Sequence, residues 1–147
     1  MQRPPRRRQT VGLLLGAVSP GSACSCAEQS LEQIYHQSTD VLWVQILRRA
    51  PGQKSTTYLA SVAHTFKGCA QPGDKAILFT SNSGASCGVT DLAVGGRYVI
   101  SATPGSTGGA LALNLCGIHQ PLQWFTDAEI AFLYSRYNCC GYACSCT

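Results

Sequence analysis

Nine cysteines restrict the fold of this 147-residue chain more than any other feature of its sequence. All of them lie after residue 23, at Cys24, Cys26, Cys69, Cys87, Cys116, Cys139, Cys140, Cys144 and Cys146. In an exported chain, cysteines at this density indicate a disulfide framework. Because their number is odd, at least one is unpaired or bonded to another molecule. Spacing leaves the pairing of Cys69 and of the last four cysteines open.

The first 23 residues have the three-part layout of a secretory signal peptide. Four arginines come first, the run from Val11 to Val18 is almost wholly apolar, and Gly21-Ser22-Ala23 provides small residues for a cleavage site. The apolar run is far shorter than the ~20 residues of a membrane-spanning helix. We therefore expect cleavage after Ala23, secretion without membrane insertion, and one mature domain over residues 24–147. A disordered basic N-terminus on an intracellular protein and a lipid-modified Cys24 are the alternatives.

Removal of this leader changes the charge of the protein. The whole chain has 11 Lys and Arg against 7 Asp and Glu, and the leader contains four of the arginines and no acidic residue. The mature chain is therefore close to neutral. Its charge gives no reason to expect a nucleic-acid or anionic-membrane partner.

Alternating apolar residues and turn residues predict five short strands between two helices. The strands are expected at residues 41–47, 56–66, 76–80, 97–102 and 110–115. A capping box at Ser30 and Gln33 opens the first helix, and another at Thr126 and Glu129 opens the second, which extends to Tyr137.

This order of elements favours an all-β fold with flanking helices, cross-linked by disulfides. The economical arrangement is a five-stranded, antiparallel Greek-key barrel of the OB type, because closure removes exposed strand edges. A β-sandwich is the alternative. Periodicity places Val41, Trp43 and Leu47 on one face of the first strand. It places a second set on one face of the next strand, namely Tyr58, Ala60, Val62 and His64.

Several motifs across residues 24–147 together resemble a known family. The segment Cys24-Ser25-Cys26 directly follows the predicted cleavage site. Further matches are Asp40-Val41, Phe66-Lys67-Gly68, Cys87-Gly88, residues 96–101 (Gly-Arg-Tyr-Val-Ile-Ser), and residues 113–116 (Leu-Asn-Leu-Cys) followed by Trp124. In these motifs the chain resembles the N-terminal, netrin-like domain of the tissue inhibitors of metalloproteinases.

The resemblance implies an OB barrel with disulfides between Cys24 and Cys87 and between Cys26 and Cys116. It also implies that the protein inhibits zinc metalloendopeptidases. In that mechanism the free amino nitrogen and the carbonyl oxygen of Cys24 chelate the catalytic zinc of the target.

The same resemblance assigns roles to the residues around Cys24. Ser25 would enter the substrate pocket beside the zinc. Ala85 and Ser86 would lie next to Cys24 through its disulfide and make a second contact with the protease. The chain departs from the family pattern at His36, which replaces a cysteine of the first helix, and at Ala27-Glu28, which replaces the usual proline.

Other kinds of site have weaker support in the sequence. The tail cysteines, at 139, 140, 144 and 146, could hold zinc or copper(I), which thiolates favour, but export favours their oxidation. His36, His64 and His119 have no ligand spacing. The sequence contains no Gly-rich phosphate loop, no His-Glu-x-x-His motif and no Ser-centred nucleophile elbow. We therefore expect no enzymatic activity, no cofactor and no intrinsic metal.

Three hypotheses follow. The first is an inhibitor of a secreted or membrane-anchored zinc metalloprotease, acting through Cys24. The second is a non-inhibitory netrin-like module that binds another extracellular protein. The third, which has the least support, is a metal-binding protein that uses the cysteines of the tail.

Overall fold

The computed structural model describes residues 24–106 and 108–136 as one closed barrel flanked by two helices. The predicted signal peptide, Tyr137 and the four tail cysteines lie outside the described residues. The helices are α1 (Leu31–Gln37) and α2 (Asp127–Ser135), and the strands are β1 (Asp40–Pro51), β2 (Ser55–Lys67), β3 (Lys75–Ser81), β4 (Arg97–Pro104), β5 (Ala110–Ala112) and β6 (His119–Gln120).

Five of these strands close the barrel in the order expected for an OB fold. β1 pairs with β2 on one side and with β4 on the other, and β5 lies between β3 and β4. The prediction of a five-stranded barrel is confirmed. The pairing differs in one place, because β3 and β5 run parallel. Two residues of β6, which were not predicted to form a strand, extend the sheet beside β4.

The inside of the barrel is lined by the face of β1 opposite to the one that periodicity singled out. Leu42, Val44 and Ile46 are fully buried in the barrel core. Val41 and Trp43 belong instead to a second core between the barrel and the helices. That core also contains Tyr35, Phe66, Val99, Ile118, Phe125 and Leu133. The first strand therefore has two apolar faces, and Leu47 lies beyond both, 37% exposed.

The alternation predicted for β2 ends at an irregularity in its pairing with β1. Tyr58, Ala60 and Val62 point into the barrel core, as expected. Val62 pairs with Val44 but His64 pairs with Trp43, so one extra residue lies in β2 at this point. A single extra residue exchanges the faces of the strand. His64 is consequently outside the barrel, and the expectation that it shares the face of Tyr58 is wrong.

Both capping boxes are present, and each fixes the start of a helix. The Ser30 side chain accepts from the Gln33 N–H, and the Gln33 side chain accepts from the Ser30 N–H. Thr126 and Glu129 make the same reciprocal pair at α2. The hydroxyl of Tyr35 in α1 donates to the carbonyl of Phe66 at 2.9 Å, which fastens α1 to β2. None of the described helices is long and apolar enough to cross a membrane.

Candidate functional site: the disulfide-bonded N-terminal segment

Two disulfides fasten the segment Cys24–Cys26 to the barrel. Cys24 is bonded to Cys87, with their Cα atoms 5.0 Å apart, and Cys26 to Cys116, at 5.3 Å. These are the pairs that the family resemblance implied. The two bridges also touch, because the Cys24 and Cys116 sulfur atoms are 3.8 Å apart. Three residues therefore hold two covalent links to loops that are distant in sequence.

The loop that carries Cys87 has a defined conformation of its own. A short 3₁₀ helix, Gly84–Ser86, is capped by the Ser83 hydroxyl, which accepts from the Ala85 N–H at 3.2 Å. Cys87 itself has φ 58°, in the left-handed region. Any side chain at the next residue, Gly88, would overlap the carbonyl oxygen of Ser81, so this close turn requires glycine.

The loop that carries Cys116 is formed by an Asn-centred turn. The Asn114 side chain accepts from the Cys116 N–H at 2.8 Å, and the backbone carbonyl of Asn114 accepts from the Gly117 N–H at 2.9 Å. Asn is well suited to such turns because its short side chain reaches the backbone two residues on. The Leu115 N–H donates to the Cys87 carbonyl at 2.8 Å, so the two loops are bonded to each other.

The residues predicted to face a protease lie together on the surface. Ser25 and Cys26 are exposed, and Cys24 is half-buried. Ala85 and Ser86 are also exposed, and Cys87 directly follows them. We call these five residues, 24–26 and 85–86, the N-terminal ridge.

An uncharged cleft that the sequence did not predict lies beside the Cys26–Cys116 disulfide. Its volume is about 320 Å³. It opens where β4 changes partner from β6 to β5, and all its side chains are uncharged. Gln29 and Gln37, hydrogen-bonded at 3.0 Å, form one wall. The fifth strand was predicted over 110–115 but ends at Ala112, so the turn of Asn114 that borders the cleft was not foreseen.

Three sulfur atoms of the site lie close enough to suggest a metal site, but their oxidation state argues against it. The sulfurs of Cys24, Cys87 and Cys116 are all within 4.8 Å of one another. Each belongs to a disulfide, whereas a metal ligand must be a thiolate. Cys69 is disulfide-bonded as well.

The histidines lie in three separate environments. His36 is exposed on α1, 3.6 Å from Glu32. The ring of His64 packs against Phe66, with centroids 4.7 Å apart. His119 lies on β6, where its Nδ1 is 3.1 Å from the carbonyl oxygen of Gly117.

The pKa of Tyr35, in α1, differs from that of an exposed tyrosine. Burial raises the pKa of its phenol above 10.0, and the positive charge of Arg136 partly offsets the rise. The neutral phenol is favoured because an anion would lose its hydration in the second core.

Comparison with known proteins gives no family assignment. No protein-family model matches the chain, and no curated protein is significantly similar to it in sequence.

Proposed function

We propose that this protein is a secreted inhibitor of zinc metalloendopeptidases and that Cys24, once it is the first residue, chelates the catalytic zinc of the target. The observation that carries the proposal is the double fastening of Cys24–Cys26 to two loops that are themselves hydrogen-bonded together. Such a terminus presents an amino nitrogen and a carbonyl oxygen from a fixed position.

The chemistry of a free terminus suits this role. A catalytic zinc keeps one coordination position for water, which an incoming nitrogen or oxygen can replace. The α-amino group has a pKa of about 8, so it loses its proton to a metal at little cost. An amide nitrogen has no such lone pair to offer. The proposal therefore requires the peptide bond after Ala23 to be cleaved.

The fixed geometry would favour tight binding. Ordering a flexible side chain or loop at an interface costs about 0.5–1.5 kcal/mol for each rotamer-rich side chain. Here the two disulfides and the hydrogen bond between Leu115 and Cys87 already hold the segment before any partner arrives. Little additional entropy would then be lost on binding.

The neighbours of Cys24 are suited to a protease cleft. Ser25 is small, polar and exposed, and it would enter the substrate pocket beside the zinc. Ala85 and Ser86 are small and exposed as well, so they would admit close approach of the enzyme surface. The partner in this proposal is a secreted or membrane-anchored zinc metalloprotease. The protein itself is proposed to have no catalytic activity and no cofactor.

Disulfides are typical of proteins that fold in oxidising compartments, and the signal-like leader of residues 1–23 supports secretion. N-terminal sequencing of the protein recovered from the culture medium tests both points. The expected first residue is Cys24. A different first residue would exclude chelation by the amine of Cys24.

An inhibition assay tests the mechanism. The native protein is compared with a variant that has one extra alanine before Cys24, and with a control that has one extra alanine after Thr147. The first extension converts the amine of Cys24 to an amide and should weaken inhibition of a zinc endopeptidase at least ~100-fold, or about 2.7 kcal/mol. The control should inhibit like the native protein. Equal inhibition by all three would show that the amine is not used.

A non-inhibitory binding module is the second candidate function, and a surface feature favours it. Ile77 and Phe79 are 42% and 38% exposed on the outer face of β3. Their partners on β2, Leu59 and Thr57, are half-buried, and the four side chains form a mostly apolar strip. The double substitution of Ile77 and Phe79 by serine should leave protease inhibition unchanged if the first proposal is correct. A native protein that inhibits no zinc endopeptidase would favour the second function, with this strip as the binding surface.

A further inference from the structure

We propose that the two disulfides of the N-terminal ridge form a thiol-sensitive switch in which a small thiol is captured at Cys26 and the bond of Cys24 moves from Cys87 to Cys116. The inference rests on the proposed function, because it describes the regulation of the same site. Its structural basis is the contact between the two bridges, with the Cys24 and Cys116 sulfurs 3.8 Å apart.

The first step is set by exposure. Cys26 is the exposed cysteine of the four, while Cys24, Cys87 and Cys116 are half-buried. An external thiolate therefore attacks the Cys26 sulfur, forms a mixed disulfide there and breaks the Cys26–Cys116 bond. The bonding electrons leave on the Cys116 sulfur as a thiolate.

The second step follows from proximity. The loop of Cys116 is held by Asn114 and by the Leu115–Cys87 hydrogen bond, so the new thiolate stays near the remaining bridge. The Cys24 sulfur is 3.8 Å from the Cys116 sulfur, and the Cys87 sulfur lies within 4.8 Å. Attack on Cys24 forms the Cys24–Cys116 bond and expels the Cys87 thiolate, which takes up a proton.

The steps balance without an added oxidant or reductant. One thiol enters and one thiol, at Cys87, is released, while the number of disulfide bonds stays at two. The product differs from the native protein in two respects that concern the ridge. Cys24 is no longer tied to the loop of Ala85 and Ser86, and Cys26, next to Ser25, carries the added thiol. Inhibition should therefore be lost.

Peptide mapping without reduction distinguishes this exchange from simple capture of the thiol. The mature protein is incubated with glutathione at pH 8, its free thiols are blocked with N-ethylmaleimide, and it is digested with trypsin. Cleavage after Arg48, Lys75, Arg97 and Arg136 places Cys24 and Cys26 in peptide 24–48, Cys87 in peptide 76–97 and Cys116 in peptide 98–136. In the native protein these three peptides are linked together.

The proposal expects peptide 76–97 to be released with maleimide on Cys87, while 24–48 carries glutathione and stays linked to 98–136. Release of 98–136 with maleimide on Cys116 would overturn it, because capture would then occur without exchange. Direct attack on Cys24 gives the same masses as the proposed product. Fragment ions that separate Ser25 from Cys26 decide between them, since the proposal requires glutathione on Cys26 and not on Cys24.

A variant provides an independent measurement. In the double substitution Cys26→Ala, Cys116→Ala, the attacking sulfur is missing, so release of 76–97 should slow at least ~10-fold. An unchanged rate would overturn the proposal. The mapping involves no target metalloprotease, so its outcome does not depend on whether the protein inhibits one. If the native protein inhibits a zinc endopeptidase, inhibition should be lost in step with the release of peptide 76–97. If the native protein inhibits none, the proposed function fails but the exchange of disulfides does not.

Discussion

The hydroxyl of Tyr58 connects the barrel core to the loop of the N-terminal ridge. The structure indicates how much unfolding free energy its removal should cost. Tyr58 has no exposed surface, and its hydroxyl donates to the Val89 carbonyl at 2.9 Å. Val89 is two residues beyond Cys87 and is also fully buried. Tyr58→Phe would leave the Val89 carbonyl without this donor inside the barrel. The expected loss is about 1–3 kcal/mol, the cost of an unsatisfied buried acceptor.

Urea unfolding with the disulfides intact measures this loss. Trp43 is packed in the second core and Trp124 is 70% exposed, so Trp43 in particular should report unfolding by fluorescence. For a domain of this size the unfolding free energy falls by about 1–2 kcal/mol per molar urea, so this loss should lower the unfolding midpoint by roughly 1 M. The slope itself should not change, because the substitution removes one oxygen and leaves the buried surface nearly as before.

Tyr98→Phe is the matched control. The Tyr98 hydroxyl accepts from the Ala93 N–H, also at 2.9 Å, but Tyr98 is half-buried and Ala93 is exposed. Water can replace this bond, so the control should lose less than about 0.5 kcal/mol. If both variants lost the same free energy, burial would not explain the effect. If Tyr58→Phe were as stable as the native protein, the hydrogen bond to Val89 would contribute nothing.

Two further predictions concern the loop of Cys87 and the buried tyrosine of α1. Gly88→Ala should destabilise the protein by about 1–3 kcal/mol in urea, because its Cβ would overlap the Ser81 carbonyl; Gly84→Ala, where nothing lies within 4 Å, should be neutral, and equal effects would contradict the packing argument. The pKa of Tyr35 is raised on folding, so the native state holds this proton more tightly, and stability should fall as pH rises above 10.0. Tyr35→Phe should flatten that part of the pH profile, and an unchanged slope would assign it to other groups.

Local chemistry made much of the fold predictable. The two capping boxes fix the helix starts because each depends on residues three apart in sequence. Strand register depends on pairing between distant segments, which local alternation does not contain. The extra residue between Val62 and His64 shows the consequence, since Val62 stays in the barrel core while His64 lies outside it, against Phe66. Val41 and Trp43 do share a face of β1, as predicted, but local alternation did not show that this strand lies between two cores and is apolar on both sides.

The site was predictable to a smaller extent. Spacing does not choose among cysteine pairings, and the pairs Cys24–Cys87 and Cys26–Cys116 were expected only from the family resemblance. The hydrogen bond between Leu115 and Cys87 and the contact between the two bridges depend on tertiary structure. The cleft beside Cys116 likewise results from the exchange of partners along β4.

The sulfur atoms of Cys24, Cys87 and Cys116 lie close together. Cys24 can therefore change its partner from Cys87 to Cys116 with little change in chain entropy. Cys24 and Cys87 are 63 residues apart, and Cys24 and Cys116 are 92 apart. Because loop-closure entropy depends on the logarithm of loop length, the longer loop differs in free energy by only about 0.3 kcal/mol. Chain entropy therefore does not hold Cys24 on Cys87. The native pairing must depend on local contacts, above all the capped 3₁₀ turn and the close packing of Gly88. Substitutions that loosen that turn should accelerate the release of Cys87 by thiols more than their effect on global stability would suggest.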